Sequence, residues 1–393
     1  DNTFFEKYLQ KNRIDTIIFP NPYGNEKRLE IYNYVRTAGL SYLCYDRGAL
    51  PDSWFLDSKG FNYDSTSYSE DIWNKELTNE QIDIVNNYIE QIKKSDNFLE
   101  SQGSKIDSYE LKKKLGIRNK KIVFIPLQVE DDTVIKYFTE HPFDYYGFAQ
   151  IANNAAIKLD KEDWVFVAKQ HPLMKNFNKS QYPNLIFVPD DTNINTLLDM
   201  CNIVLTINSG VGVYAMIFEK PCIITGNAFY QFNGINIRVY SEDEIIEYIR
   251  KEDFQFNKDK MTKFIYYLYQ NFYSYGKSYY KSKEENNRIR RIVNYIDFYR
   301  ITINGNTYLD ANDITKLKYK KDTLSLRPYI SDIQKKIENN ELKSPAKTSQ
   351  EKHIIKNQNI KKEVQSSKIK RKIRKLFRNP KLFFVDMLKN RPK

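Results

Sequence analysis

Residues 203–226, IVLTINSGVGVYAMIFEKPCIITG, pass from an apolar strand pattern through a small-residue loop into a helix pattern, a Lys-Pro turn and a second apolar strand. This order restricts the chain to α/β architectures, because two parallel strands need a crossover that is usually a helix. The loop Asn208-Ser209-Gly210-Val211-Gly212 lies between strand and helix, where free backbone N–H groups and the positive helix end favour an anion. Gly210 and Gly212 let a ligand approach the backbone, and Asn208 and Ser209 add polar side chains. The bland alternative, an ordinary βα turn, fits the loop equally well.

The same alternation extends along the chain. Residues 16–20 form a short apolar strand, 25–37 carry Leu29, Tyr32 and Val35 at helical spacing, and 40–45 return as a strand leading into Asp46-Arg47-Gly48. Residues 54–68 read as an ordered aromatic loop, 70–100 as mostly helix, and 101–114 as a connection between domains. A second series follows: strand 121–126, helix 146–159, strand 164–168, strand 185–188, helix 194–200 and strand 203–207. Polar residues gather at the C-terminal ends of these strands, which predicts a parallel sheet with its ligand at that edge. Residues 242–299 read as mainly helical, and 301–340 show no clear pattern.

A length of 393 residues suits two α/β domains with a cleft between them. The net charge of +12 does not indicate nucleic-acid binding once it is located. Residues 341–393 hold 17 Lys plus Arg against 4 Asp plus Glu, leaving 45 basic against 46 acidic residues in the body. A nearly neutral body with a basic tail lacks the footprint of a protein that wraps nucleic acid. Within the tail, Ile369, Ile373, Leu376 and Phe377 share one helical face among Lys and Arg residues, and Leu382, Phe383, Phe384 and Met387 follow Pro380. This pattern predicts a basic amphipathic anchor on an anionic membrane surface, with docking on a partner as the alternative. Cys44, Cys201 and Cys222 lie apart in apolar runs and predict buried thiols of a reducing cytoplasm. The chain opens on Asp1 rather than Met, and a longer parent protein is expected.

Three strand ends carry the candidate chemistry. Gln128 and Asp132 follow the strand 121–126 in Gln-Val-Glu-Asp-Asp, where Glu130, Asp131 and Asp132 read as a solvated loop, a helix cap or magnesium ligands. Lys169 and His171 follow the next strand in Lys-Gln-His-Pro. A lone histidine is usually structural, but this one shares a predicted sheet edge with Asp132 and Ser209, so that Lys169 and His171 can counter a phosphate charge. No second acidic cluster with metal-ligand spacing accompanies the triplet, and no metal or bound cofactor is predicted.

The ordered set of Pro126-Leu-Gln-Val-Glu-Asp-Asp132, Lys169-Gln-His-Pro172, Asn208-Ser-Gly-Val-Gly-Val-Tyr-Ala215, Glu219-Lys-Pro221 and Gly226-Asn-Ala-Phe-Tyr230 resembles the bacterial capsule-polysaccharide synthesis family, which includes KpsC, KpsS and WbbB-type Kdo transferases. The resemblance is strongest over residues 121–230. It implies a GT-B glycosyltransferase, two Rossmann-like domains around a cleft, that moves Kdo from CMP-β-Kdo to a lipid-linked glycan with retention. It places the nucleophile on Asp132 and the donor's phosphate or carboxylate on His171, Ser209 and Gly210. The relatives' first-domain acid falls on Asp46, in Tyr45-Asp46-Arg47-Gly48, and Arg47 is the candidate partner of the sugar carboxylate. The chain then divides into an acceptor-side domain (1–115), a donor-binding domain (116–245), a mainly helical region (246–340) and the basic tail (341–393) at the cytoplasmic face of the inner membrane.

Overall fold

The computed structural model describes residues 2–95, 102–117, 119–174, 177–285 and 288–310. The basic tail and its proposed anchor, with the rest of the region from 311, lie outside the described residues.

The first sheet opens as the expected βαβ unit. β1 (Ile17–Pro20) and β2 (Tyr42–Arg47) pair in parallel, with Ile17 opposite Tyr42 and Pro20 opposite Tyr45, and the helix Glu26–Thr37 makes the crossover. Asn25 caps that helix by accepting from the Arg28 N–H, and Tyr32 and Val35 are its buried residues. Here the simple Rossmann pattern ends. β3 (Ser53–Asp57) turns back antiparallel on β2, so part of the segment read as a loop is a buried strand followed by two short 3-10 turns. Its apolar run Trp54-Phe55-Leu56 is too short to show a period, which is why strand and loop were not separable in sequence.

The second sheet holds β4 (Lys121–Pro126), β5 (Trp164–Lys169), β6 (Leu185–Phe187), β7 (Ile203–Thr206), β8 (Cys222–Ile224) and β9 (Ile237–Arg238), all parallel. Their spatial order is β6-β5-β4-β7-β8-β9. This is the doubly wound order, and its switch point, where ligands bind, falls between β4 and β7. Both faces of β4 are covered: Ile122 and Phe124 enter one hydrophobic core, Val123 and Ile125 the other. A continuous apolar run is the sequence signature of such a doubly buried strand. The first of these cores also contains Phe19, Val35, Phe55 and Tyr273, so it joins the two sheets.

The largest departure follows the helix Lys258–Tyr266. Where the sequence predicts helix to 299, the chain forms two long strands, β10 (Tyr273–Glu285) and β11 (Arg288–Ile303), then β12 (Asn306–Asp310). These extend the first sheet in the order β1-β2-β3-β10-β11-β12, so the N-terminal half is completed by residues from the end of the described chain. The mainly helical region of 246–340 is therefore corrected over 273–310. Tyr is abundant in β10, and Ile with Tyr in β11, and both residue types favour extended backbone. The turn from β11 to β12 is Asn304-Gly305, with φ of 51° and 76°. An Asn-Gly pair at positive φ is a strong hairpin signal that a helical reading passed over.

Candidate active site

A cleft of about 590 Å³ opens at the switch point and is lined from both halves of the fold. Asp46, Arg47 and Gly48 come from the end of β2; Gln128, Asp131 and Asp132 follow β4; Lys169 and His171 follow β5; Ser209 and Gly210 follow β7. All nine sequence-predicted site residues, Gln128 and Asn208 included, line this one cleft.

Asp132 caps the short helix Thr133–Tyr137, accepting from the Val134 N–H at 3.3 Å. Solvent reaches it through the cleft mouth, yet protein crowds its other sides. That desolvation pushes its carboxyl above the usual range, with Asp131 adding to the rise and the Val134 N–H and Arg47 opposing it. Glu130 turns away and accepts from the Tyr146 hydroxyl at 2.8 Å, so the acidic triplet does not converge. Among the described residues no group of three His, Cys, Asp or Glu side chains assembles to hold a metal.

Asp46 stands in the same field. Desolvation lifts its pKa to about 6; hydrogen bonds from the Arg47 N–H (2.8 Å) and Asn21, and the Arg47 charge, pull it down, while Asp132 pushes it up. Asp46 and Asp132, 86 residues apart in the chain, thus interact electrostatically across the cleft. Asn21, at the end of β1, also donates to Thr133 Oγ1 at 3.0 Å, tying the first half to the helix that Asp132 caps. Sequence reasoning missed Asn21. Its one signal was its position immediately after an apolar strand.

The cleft also carries a wall of basic side chains. His171 Nδ1 accepts from the Leu173 N–H at 3.1 Å, which places the proton of the neutral imidazole on Nε2. Burial first, then the charges of Lys169, Arg291 and Arg47, hold its pKa down at about 4. A pKa this low makes His171 a neutral N–H donor near neutral pH. Lys169 is buried, and its Nζ donates to the Asp190 carbonyl at 2.8 Å. Arg290 and Arg291 of β11 complete the wall. They were missed because their segment was read as helix.

The loop that opened the sequence reading is more self-contained than expected. Gln128 Nε2 donates to Asn208 Oδ1 at 2.9 Å, and the Asn208 N–H returns a bond to Gln128 Oε1 at 3.2 Å. Asn208 Nδ2 also donates to the carbonyls of Val134 (2.9 Å) and Asn227 (3.3 Å). These two amides brace the ends of β4 and β7 at the floor of the cleft they line. Ser209 Oγ accepts from the Val211 N–H at 3.2 Å, and the Gly212 and Val213 N–H groups bond to the Ser209 and Gly210 carbonyls. Most of the expected anion nest is thus satisfied within the turn. Gly212 serves packing: a Cβ there would lie 2.4 Å from the ring of Tyr230, which is fully buried and donates to the Ser209 carbonyl. Gly212→Ala should lower stability by about 1–3 kcal/mol through overpacking, read as a fall of several degrees in the thermal midpoint. At Gly210 a Cβ would meet only Ala49 Cβ, at 3.8 Å, and Gly210→Ala should melt like wild type.

Two α/β halves sharing a cleft at the doubly wound switch point define the GT-B type of architecture. Residues 79–273 match the family described as capsule polysaccharide biosynthesis protein. Protein FixF of Sinorhizobium fredii (strain NBRC 101917 / NGR234) is 32% identical over 120 residues, 30% of this chain and 29% of FixF. The match thus spans less than a third of that relative. Among solved structures, the β-Kdo 2,7 transferase of Thermosulfurimonas dismutans KpsC is similar at 16% identity over 73% of this chain and 84% of its own, with a TM-score of 0.43. The β-Kdo 2,4 transferase of the same KpsC is similar at 14% identity over 66% and 80%, with a TM-score of 0.44.

Proposed function

We propose that this cleft is the catalytic centre of a glycosyltransferase of capsule or O-antigen assembly, which moves Kdo from CMP-β-Kdo to a lipid-linked glycan with retention. The observation that carries the reading is the meeting of Asp132 and Asp46, from different halves, in one cleft with Lys169, His171 and Arg47. A carboxylate pair facing cations suits a donor whose leaving group is anionic and whose reacting carbon becomes electron-poor.

Asp132 attacks the anomeric carbon, and the bond to the phosphate oxygen breaks with its electron pair, releasing CMP and leaving a glycosyl ester. Lys169, Arg47 and the Nε2–H of His171 stabilise the departing charge. Asp46, with a pKa of about 6, is ionised at neutral pH and takes the proton of an acceptor hydroxyl as its oxygen displaces Asp132. Two inversions give net retention. No helix of the described residues is long and apolar enough to cross a membrane. The basic tail, outside the described residues, is proposed to hold the enzyme on the cytoplasmic face of the inner membrane, near its acceptor.

The test is transfer from labelled CMP-Kdo, UDP-sugars and CDP-glycerol to a panel of glycolipid acceptors. Transfer from CMP-Kdo alone is expected. Transfer only from another nucleotide would replace the donor, and binding without turnover of any donor would favour an assembly protein on a transferase scaffold.

A further inference from the structure

The arm formed by β10 and β11 belongs to the first sheet yet reaches the second half of the molecule. Its base is fixed by the pairs Tyr273 with Phe55 and Tyr275 with Ser53, and by the Trp54 Nε1–H donating to the Gly276 carbonyl at 2.9 Å. At its far end the Ile289 N–H donates to the Leu173 carbonyl at 2.8 Å, two residues beyond His171. The arm is therefore stitched to the loop that presents the imidazole.

Register assigns the side chains to faces. Across the arm Tyr280 stands opposite Val293, Ser282 opposite Arg291 and Glu284 opposite Ile289, so these six residues share one face. Ile289, Arg290 and Arg291 all border the cleft, but Ile289 and Arg291 are half-buried whereas Arg290, on the opposite face, is exposed, which identifies the face of Ile289 and Arg291 as the inner one. Lys281, opposite Ile292, points the other way. The Arg291 guanidinium carbon lies 4.4 Å from the centroid of the Tyr280 ring, diagonally adjacent on the inner face. A guanidinium resting on a ring keeps its planar set of N–H donors, which suits a carboxylate or phosphate.

We infer that Arg291, held on Tyr280, forms with Lys169 and the His171 Nε2–H an anion subsite assembled from both halves of the fold, which holds the phosphate or the sugar carboxylate of the donor. The inference rests on the donor reading above but concerns the arm, which that reading does not require. The field at His171 agrees with it, since Arg291 acts there together with Lys169 and Arg47.

Calorimetric titration of the full chain with CMP, free Kdo and UDP-glucose separates the sources. Arg291→Ala should weaken the anion it holds by about tenfold to a hundredfold, the effect of one charge-assisted hydrogen bond. A loss confined to CMP assigns the phosphate, and one confined to Kdo the carboxylate. Tyr280→Leu should cause a smaller loss of the same ligand with the thermal midpoint retained, whereas Lys281→Ala on the outer face should bind like wild type. Unchanged binding of CMP and Kdo by Arg291→Ala would overturn the subsite and leave the donor reading standing. An Arg291-dependent preference for UDP-glucose over CMP would keep the subsite and remove the donor. An equal loss in Lys281→Ala, or no anion binding by wild type, would also overturn it.

Discussion

Asp132→Asn is expected to lower transfer by about 10⁴-fold or more, the usual cost of deleting a nucleophile, and to abolish the sugar adduct seen by intact mass after donor trapping. The substitution keeps the fold, because asparagine caps a helix as well as aspartate and the Val134 N–H retains an acceptor. It also removes a carboxylate held above its usual range by the protein crowding its inner sides and by Asp131, so the thermal midpoint should not fall. Loss of activity with an intact melting curve would assign the effect to chemistry. A persistent adduct in the variant would move the nucleophile elsewhere, Asp131 being the nearest acid in sequence.

Asp46→Asn should separate activity from stability in opposite directions. As the acid-base group its loss costs about 10²–10⁴ in rate, and the limb of the pH profile that rises through about 6 in the wild type should disappear. Because Asp46 and Asp132 interact, that limb reports an apparent value belonging to the pair. The stability sign follows from linkage. A carboxyl with a pKa of 3.8 unfolded and about 6 folded binds more protons in the folded state between those values, so wild-type stability falls as pH rises from about 4 to about 6. Above pH 6 the folded protein carries a partly buried charge it would hold more easily as a neutral group. Asp46→Asn should therefore be more stable at pH 7 by on the order of 1–3 kcal/mol, with the gain shrinking as pH falls from about 6 to about 4 and absent below that. Equal thermal midpoints for variant and wild type across pH 4–8 would show that Asp46 is better solvated than its surroundings indicate. A catalytic group that costs stability is expected where function sets the residue.

The sequence was most legible where local pattern and tertiary environment agree. The doubly buried β4 and β7 announce themselves as apolar runs, and the residues that follow them, Asp132 and Ser209, reach the cleft because the end of a parallel strand can point nowhere else. Legibility failed at β3 and over β10 and β11. Tyr273 to Ile303 has many tyrosines with weak periodicity, and its first strand, β10, pairs with residues more than 200 positions earlier, such as Phe55, while β11 pairs with β10. Local propensity carries no record of such a partner. The loop at Asn208 failed differently: its residue types suit an anion, but only coordinates show that its amides are engaged by Gln128, by Ser209 and by one another.

What the sequence alone determined is the α/β class, the parallel second sheet and the set of residues able to do chemistry at its edge. These follow from short-range order, since periodicity and turn chemistry act over a few residues. Tertiary structure alone decided that Asp46 faces Asp132, that His171 is a neutral donor and that Arg291 arrives on an arm from the other half. Each of these depends on burial and on charges brought together from distant parts of the chain. Desolvation and Coulomb energy are functions of distance in space, and spacing along the sequence does not encode them.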